Sequence, residues 1–292
     1  MALVTLKEVL SESIAKKYAV GAFDSVDYQF TETLLQAAEE SNTPLILMVA
    51  EVSFPLIKKP ELYFPYTIEM IRNAKVPVAL VLDHGSSFDI CMQALHYGFT
   101  GIMFDGSALP NEENIAITRK VVEACHACGV SVEGEIGHVG GHDAGTNNPG
   151  FADESMYTKP EDAIDFYERT KVDSLAVAIG TVHGVYRGTP KLDLGRLDLI
   201  REALPDVPLA LHGGSGLSPE AFRGAVEHGI NKINFFTGMS IAATKAAKEY
   251  IDSQEGKTLE IHYHDVNAAA HNAALNIVKE HINIFGTRPL NL

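Results

Sequence analysis

VALVLDH (78–84), AVAIGTVH (176–183) and PLALH (208–212) each run from unbroken apolar sequence into a histidine: His84, His183 and His212. An apolar run without polar alternation is what a strand covered on both faces requires, and parallel sheets flanked by helices are covered in that way. Runs of the same kind predict eight strands: AVGAF (19–23), PLILMVA (44–50), VALVLD (78–83), GIMFDG (101–106), VSVEGEI (130–136), SLAVAIG (174–180), PLALHG (208–213) and NKINFF (231–236). Segments of helical periodicity separate most of them, among them FTETLLQAAEE, SFDICMQALHYG and NEENIAITRKVVEACHACG. Eight strand-then-helix units predict an α/β fold, a (β/α)8 barrel of the TIM type, as one domain over residues 1–292. An open doubly wound sheet is the competing architecture, but no G-x-G-x-x-G turn follows the first strand. Residues 238–285 predict two extra C-terminal helices that close the barrel or pack on a partner chain.

Composition narrows the function. The chain is 46% hydrophobic and 21% charged, as a folded core demands. Its formal net charge of −15 opposes binding to nucleic acid or an anionic membrane surface. Three cysteines, Cys91, Cys125 and Cys128, form no disulfide framework and suit a reducing compartment. Cys125 and Cys128 have C-x-x-C spacing, but they sit in a helical pattern closed by Gly129, with no second cysteine pair to complete a zinc site. No apolar stretch reaches the ~20 residues that span a bilayer. The N-terminus lacks a basic-then-apolar signal pattern, so a cytoplasmic protein is expected.

Strand ends are where parallel α/β enzymes place their chemistry. Three imidazoles meeting on one rim make a divalent metal site with positions open for substrate. Asp83 precedes His84 and is the candidate general base or acid. Gly180 and Gly184 flank His183 and let the backbone bend tightly. His212 opens HGGSG, whose Gly213, Gly214 and Ser215 offer backbone N–H groups and a hydroxyl to an oxyanion or phosphate. Asp105 and Glu135 lie at the ends of strands four and five, as support for the ligands or a second metal position. Asn234, at the end of strand eight, and Thr237 are candidates to bind a phosphate together with Ser215, because the loops after strands seven and eight of such barrels often do so. His96, His126, His228 and His271 fall in helical segments and are expected at the surface or in packing; His262 and His264 lack a third ligand. His138 and His142 lie in the long Gly- and Asn-rich stretch 137–153, within reach of the rim.

In this order, YAVGAF, LDHGSS, GFTGIMFDGS, VSVEGEIG, GHVGGHDAG, AIGTVHGVYRG, LHGGSG and NKINFFT resemble the class II, metal-dependent ketose-bisphosphate aldolases, over nearly the whole chain. The resemblance implies a catalytic Zn2+ on His84, His183 and His212, with a second divalent or monovalent cation near Asp105 and Glu135. It implies reversible cleavage of a phosphorylated ketose to dihydroxyacetone phosphate and an aldehyde through a metal-stabilised enediolate. Asp83 would carry the hydroxyl proton at the cleaved bond, and Asp143 or His142 the enediolate proton. Gly184, Arg187, the Gly213–Ser215 turn and Asn234 to Thr237, including Phe235 and Phe236, resemble the substrate site. Relatives of this kind are homodimers or homotetramers. A non-catalytic sugar-phosphate sensor on the same barrel and a metal-dependent hydrolase are the competing functions.

Several positions depart from the family pattern. Asp24 replaces the usual asparagine, Asp143 the usual glutamate and Arg187 the usual lysine. Phe236 stands where fructose-bisphosphate aldolases carry aspartate and tagatose-bisphosphate aldolases alanine. No matching motif supplies an arginine for a second phosphate; Arg288, Lys245 and Lys248 are the remaining cations considered. A retained donor half and an altered aldehyde half are therefore expected.

Overall fold

The computed structural model describes residues 2–141, 153–184, 186, 190–254 and 260–290. Eight parallel strands form a closed barrel: β1 (Val20–Asp24), β2 (Leu45–Ala50), β3 (Val78–Gly85), β4 (Gly101–Phe104), β5 (Ser131–Ile136), β6 (Ser174–Val177), β7 (Leu209–Leu211) and β8 (Ile230–Asn234). Each pairs with its neighbour in the chain, and β1 pairs with β8 to close the ring. Helices cover the outside, and several of them start on side-chain caps. Asp27, Ser87 and Ser218 accept from backbone N–H groups of the first turns that follow them.

Side-chain alternation divides the core in two. Leu80 and Leu82, Leu209 and Leu211, and Phe23 face the helical layer. Val20, Ala22, Ile46, Met48, Ala79 and Val81 fill the barrel, stoppered by Leu6 and Leu10 of the short N-terminal helix Leu6–Leu10. Continuing that alternation to the C-terminal rim turns Asp24, Asp83, Glu135, His212 and Asn234 inward, so the top layer of the barrel is polar.

The helices Thr237–Ser253 and Tyr263–Ile284 match the expected C-terminal pair. Phe285 stacks on Phe23 at 6.4 Å, and Thr287 Oγ1 donates to the Ala19 carbonyl at 2.6 Å, so this end of the chain seals the approach to β1. The C-x-x-C segment ends the helix Asn111–Ala127, with Cys125 buried, Cys128 exposed and both thiols free. Among the described residues no helix is long and apolar enough to cross a membrane.

The sixth strand departs from expectation. SLAVAIG predicts a strand to residue 180, whereas β6 stops at Val177. There the backbone turns away from the sheet to Thr158: the Thr158 N–H donates to the Ala178 carbonyl at 2.9 Å, and the Ala178 N–H donates to Thr158 Oγ1 at 2.8 Å. Gly180, at φ 113°, completes the turn. His183 therefore sits six residues beyond β6, in a two-residue parallel pairing of Val182–His183 with Gly140–Gly141.

Candidate active site

Chain alternation alone would point His84 away from the cavity, because its neighbour Asp83 faces in. A bulge resolves the conflict. The pairing of β3 with β4 shifts register between Leu82 and Gly85, and His84 adopts φ 49°, a left-handed conformation that non-glycine residues hold only under strain. Both side chains thereby reach the same cavity. Glu51 secures the strained segment from outside, accepting the Ser86 N–H at 2.6 Å and the Ser86 hydroxyl at 2.9 Å.

His84, His183 and His212 converge: one ring nitrogen from each lies within 4.8 Å of the others. The ring centroids of His84 lie 4.7 Å from His183 and 4.8 Å from His212. The outer nitrogens of His84 and His212 are committed to carboxylates. Asp105 Oδ2 lies 2.7 Å from His84 Nδ1, and Glu133 Oε1 lies 3.0 Å from His212 Nε2. That leaves His84 Nε2 and His212 Nδ1 facing each other at 2.9 Å. Burial pushes the His212 imidazole down and Lys232 adds to the effect, favouring the neutral form that ligates metals. Burial opposes the charge on Asp105, but hydrogen bonds from His84 and Ser107 outweigh it and hold its carboxyl below the usual range. His84, Asp105 and Glu135 form a second donor group beside the first.

Asp24, Asp83, His84, His183, Gly184 and the Gly213–Ser215 turn line one cavity with Asn234, Phe235, Phe236 and Thr237. Asn234 Nδ2 donates to Asp83 Oδ1 at 2.8 Å. The Gly238 N–H, in the first turn of the helix Thr237–Ser253, donates to Ser215 Oγ at 3.2 Å. Phe235 packs against Phe23, Phe222 and His281, with its remaining face on the cavity; Phe236 is the aromatic at the helix cap. Asp143, His142 and Arg187 lie outside the described residues. Lys245 and Lys248 pair along their own helix with Glu249 and Asp252, and the cavity lining includes no lysine or arginine among the described residues. His138 faces a neighbouring crevice, 3.0 Å from Ser107 Oγ. His262 and His264 are exposed and stack on one another.

Sequence reading missed Glu133, Lys232, Ser174, Ser53 and Tyr186. Glu133 and Lys232 are fully buried and paired at 2.6 Å beneath His212, and Ser174 Oγ donates to Glu133 at 2.8 Å. Burial works against the charge on Glu133, but Lys232 and His212 outweigh it and pull its carboxyl down to about 2. Their parity with Glu135 and Asn234 was the available signal. Ser53, after β2, lines the cavity, and Tyr186 joins two of its loops.

The chain matches the family model described as Fructose-bisphosphate aldolase class-II over residues 4–289. It is 42% identical to a fructose-bisphosphate aldolase of Geobacillus stearothermophilus over 257 residues, 86% of each chain. It is 39% identical to one of Staphylococcus epidermidis, over 87% of this chain and 88% of that one. The solved structure of the YdjI aldolase from Escherichia coli K12 superimposes with a TM-score of 0.84 at 31% identity, covering 98% of both chains. With a match that spans the barrel and every described motif of its rim, the chain belongs to the class-II fructose-bisphosphate aldolase family and is an aldolase.

Proposed function

We propose that the chain is a zinc-dependent aldolase that reversibly cleaves a phosphorylated ketose to dihydroxyacetone phosphate, or a close analogue, and an aldehyde. The supporting observation is the convergence of His84, His183 and His212 beside Asp83. The donor set fits zinc: the ligands are imidazoles, and carboxylates fix the outer nitrogens of two of them. His84 Nε2, His212 Nδ1 and a ring nitrogen of His183 would hold the ion, and Asp105 with Glu135 would serve a second cation. Bound zinc supplies a Lewis acid for the ketose carbonyl.

The chain's own groups do the rest. The Asn234 amide fixes the plane of the Asp83 carboxylate and leaves its other oxygen to take the proton of the C4 hydroxyl. As that proton leaves, the C4 oxygen becomes the aldehyde carbonyl. The C3–C4 bond breaks, and its electron pair stays with the three-carbon fragment. Asp143 is assigned the return of a proton to C3. The Gly213–Ser215 turn and the N-terminus of the helix Thr237–Ser253 offer N–H groups and a helix dipole to the phosphate; the family resemblance assigns Arg187 to the same group as its cation.

Dialysis of the purified protein against a strong chelator is expected to abolish cleavage, and added zinc to restore it. Full activity without metal rejects the zinc assignment. The aldehyde half is proposed to differ from glyceraldehyde 3-phosphate, because Phe236 and Asp24 occupy the wall where sugar hydroxyls would seek partners. A panel of ketose phosphates tests this separately: best turnover on fructose 1,6-bisphosphate rejects the altered aldehyde alone. A cytoplasmic homodimer or homotetramer is proposed as the active form. Ile241, Ile251 and Tyr263 stand exposed on the C-terminal helices where a second copy would pack.

A further inference from the structure

His183 lies outside the barrel sheet, so something other than pairing with the barrel strands must set its place. The Gly140–Gly141 pairing holds one side of its segment. On the other side the backbone of Val182 is pressed against Gly213, where a Cβ would fall 2.5 Å from the Val182 carbonyl oxygen. Gly213 adopts φ 66°, so this close approach depends on glycine twice over.

The Tyr186 phenol bridges that contact. Its hydroxyl donates to the Gly213 carbonyl at 2.6 Å and accepts the Val182 N–H at 3.1 Å. Val182 precedes His183, and Gly213 follows His212. The ring lies against Gly216, where a Cβ would come within 2.9 Å of it. Burial pushes the phenol up to about 12, so the oxygen keeps the proton it donates across the neutral range.

We propose that the Tyr186 hydroxyl is a positioning group that locks the His183 loop to the His212–Ser215 turn, so that one side chain sets both the metal ligands and the phosphate cradle. This rests on the zinc-aldolase reading of the site. Tyr186 does not line the cavity and acts through the backbones on either side of it. Both bonded groups are main-chain atoms one residue from a proposed ligand, so a small displacement there reaches His183 and His212 directly.

Tyr186→Phe keeps the ring and its contact with Gly216 and removes only the hydroxyl. Zinc affinity by chelator competition and inorganic-phosphate affinity by calorimetry are measured on wild type and variant, with melting temperatures of both. The variant is expected to hold zinc about tenfold less tightly, the low end for groups that orient a metal ligand, and to bind phosphate weakly in parallel. A lowered melting temperature with both affinities intact reduces Tyr186 to a structural residue and overturns the proposal. A change in only one affinity overturns the shared lock. Wild type that takes up no zinc refutes instead the zinc assignment on which the proposal rests.

Discussion

Asp83→Asn is expected to lower kcat for ketose cleavage by about 10²- to 10⁴-fold, the usual contribution of a positioned acid or base, while leaving zinc content unchanged. The amide matches the carboxylate in size, and its oxygen still accepts the Asn234 bond. What is lost is the capacity to take a proton from the C4 hydroxyl. The variant therefore carries an internal control. Exchange of the C3 proton of dihydroxyacetone phosphate with deuterated water requires no C–C cleavage, and is expected to persist. Cleavage within tenfold of wild type would remove Asp83 from the base role. Loss of exchange as well would indicate that the cavity itself had been disturbed.

The second large effect is on stability. Lys232→Met leaves Glu133 fully buried beneath His212 without its cationic partner. Removing one partner of a buried pair costs about 3–5 kcal/mol, readable in a denaturation curve. The double variant Lys232→Met with Glu133→Gln removes both charges and is expected to recover part of that loss. The acid limb follows the same pair. Glu133 is pulled to about 2, below its unfolded value of about 4.3. Its stabilisation is thus present above about pH 4.3 and lost as pH falls toward 2. A single variant as stable as wild type would show that water or rearrangement satisfies Glu133 without the lysine.

The barrel was legible because its strands are buried on both faces and write themselves as apolar runs. The rim histidines were legible because each run ends in one. Glu133 and Lys232 were not, since they pair across 99 residues and only ring closure makes them neighbours. The true end of β6 was also hidden. Ile179 and Val182 are as buried as strand residues although they lie beyond it, so hydrophobicity continues where pairing with the sheet has stopped. The bulge at His84 leaves no mark in composition. Asp83-His84 announced two reactive groups in sequence, but only backbone geometry explains how consecutive residues share one chamber.

That irregular step at His84 bears on any attempt to graft this chemistry onto another scaffold. A regular strand given Asp-His at its tip would aim one side chain at substrate and bury the other among the surrounding helices. Transplanting the pair means carrying over Leu82 to Gly85 with its shifted register against β4, and with it the outside brace that Glu51 provides to Ser86.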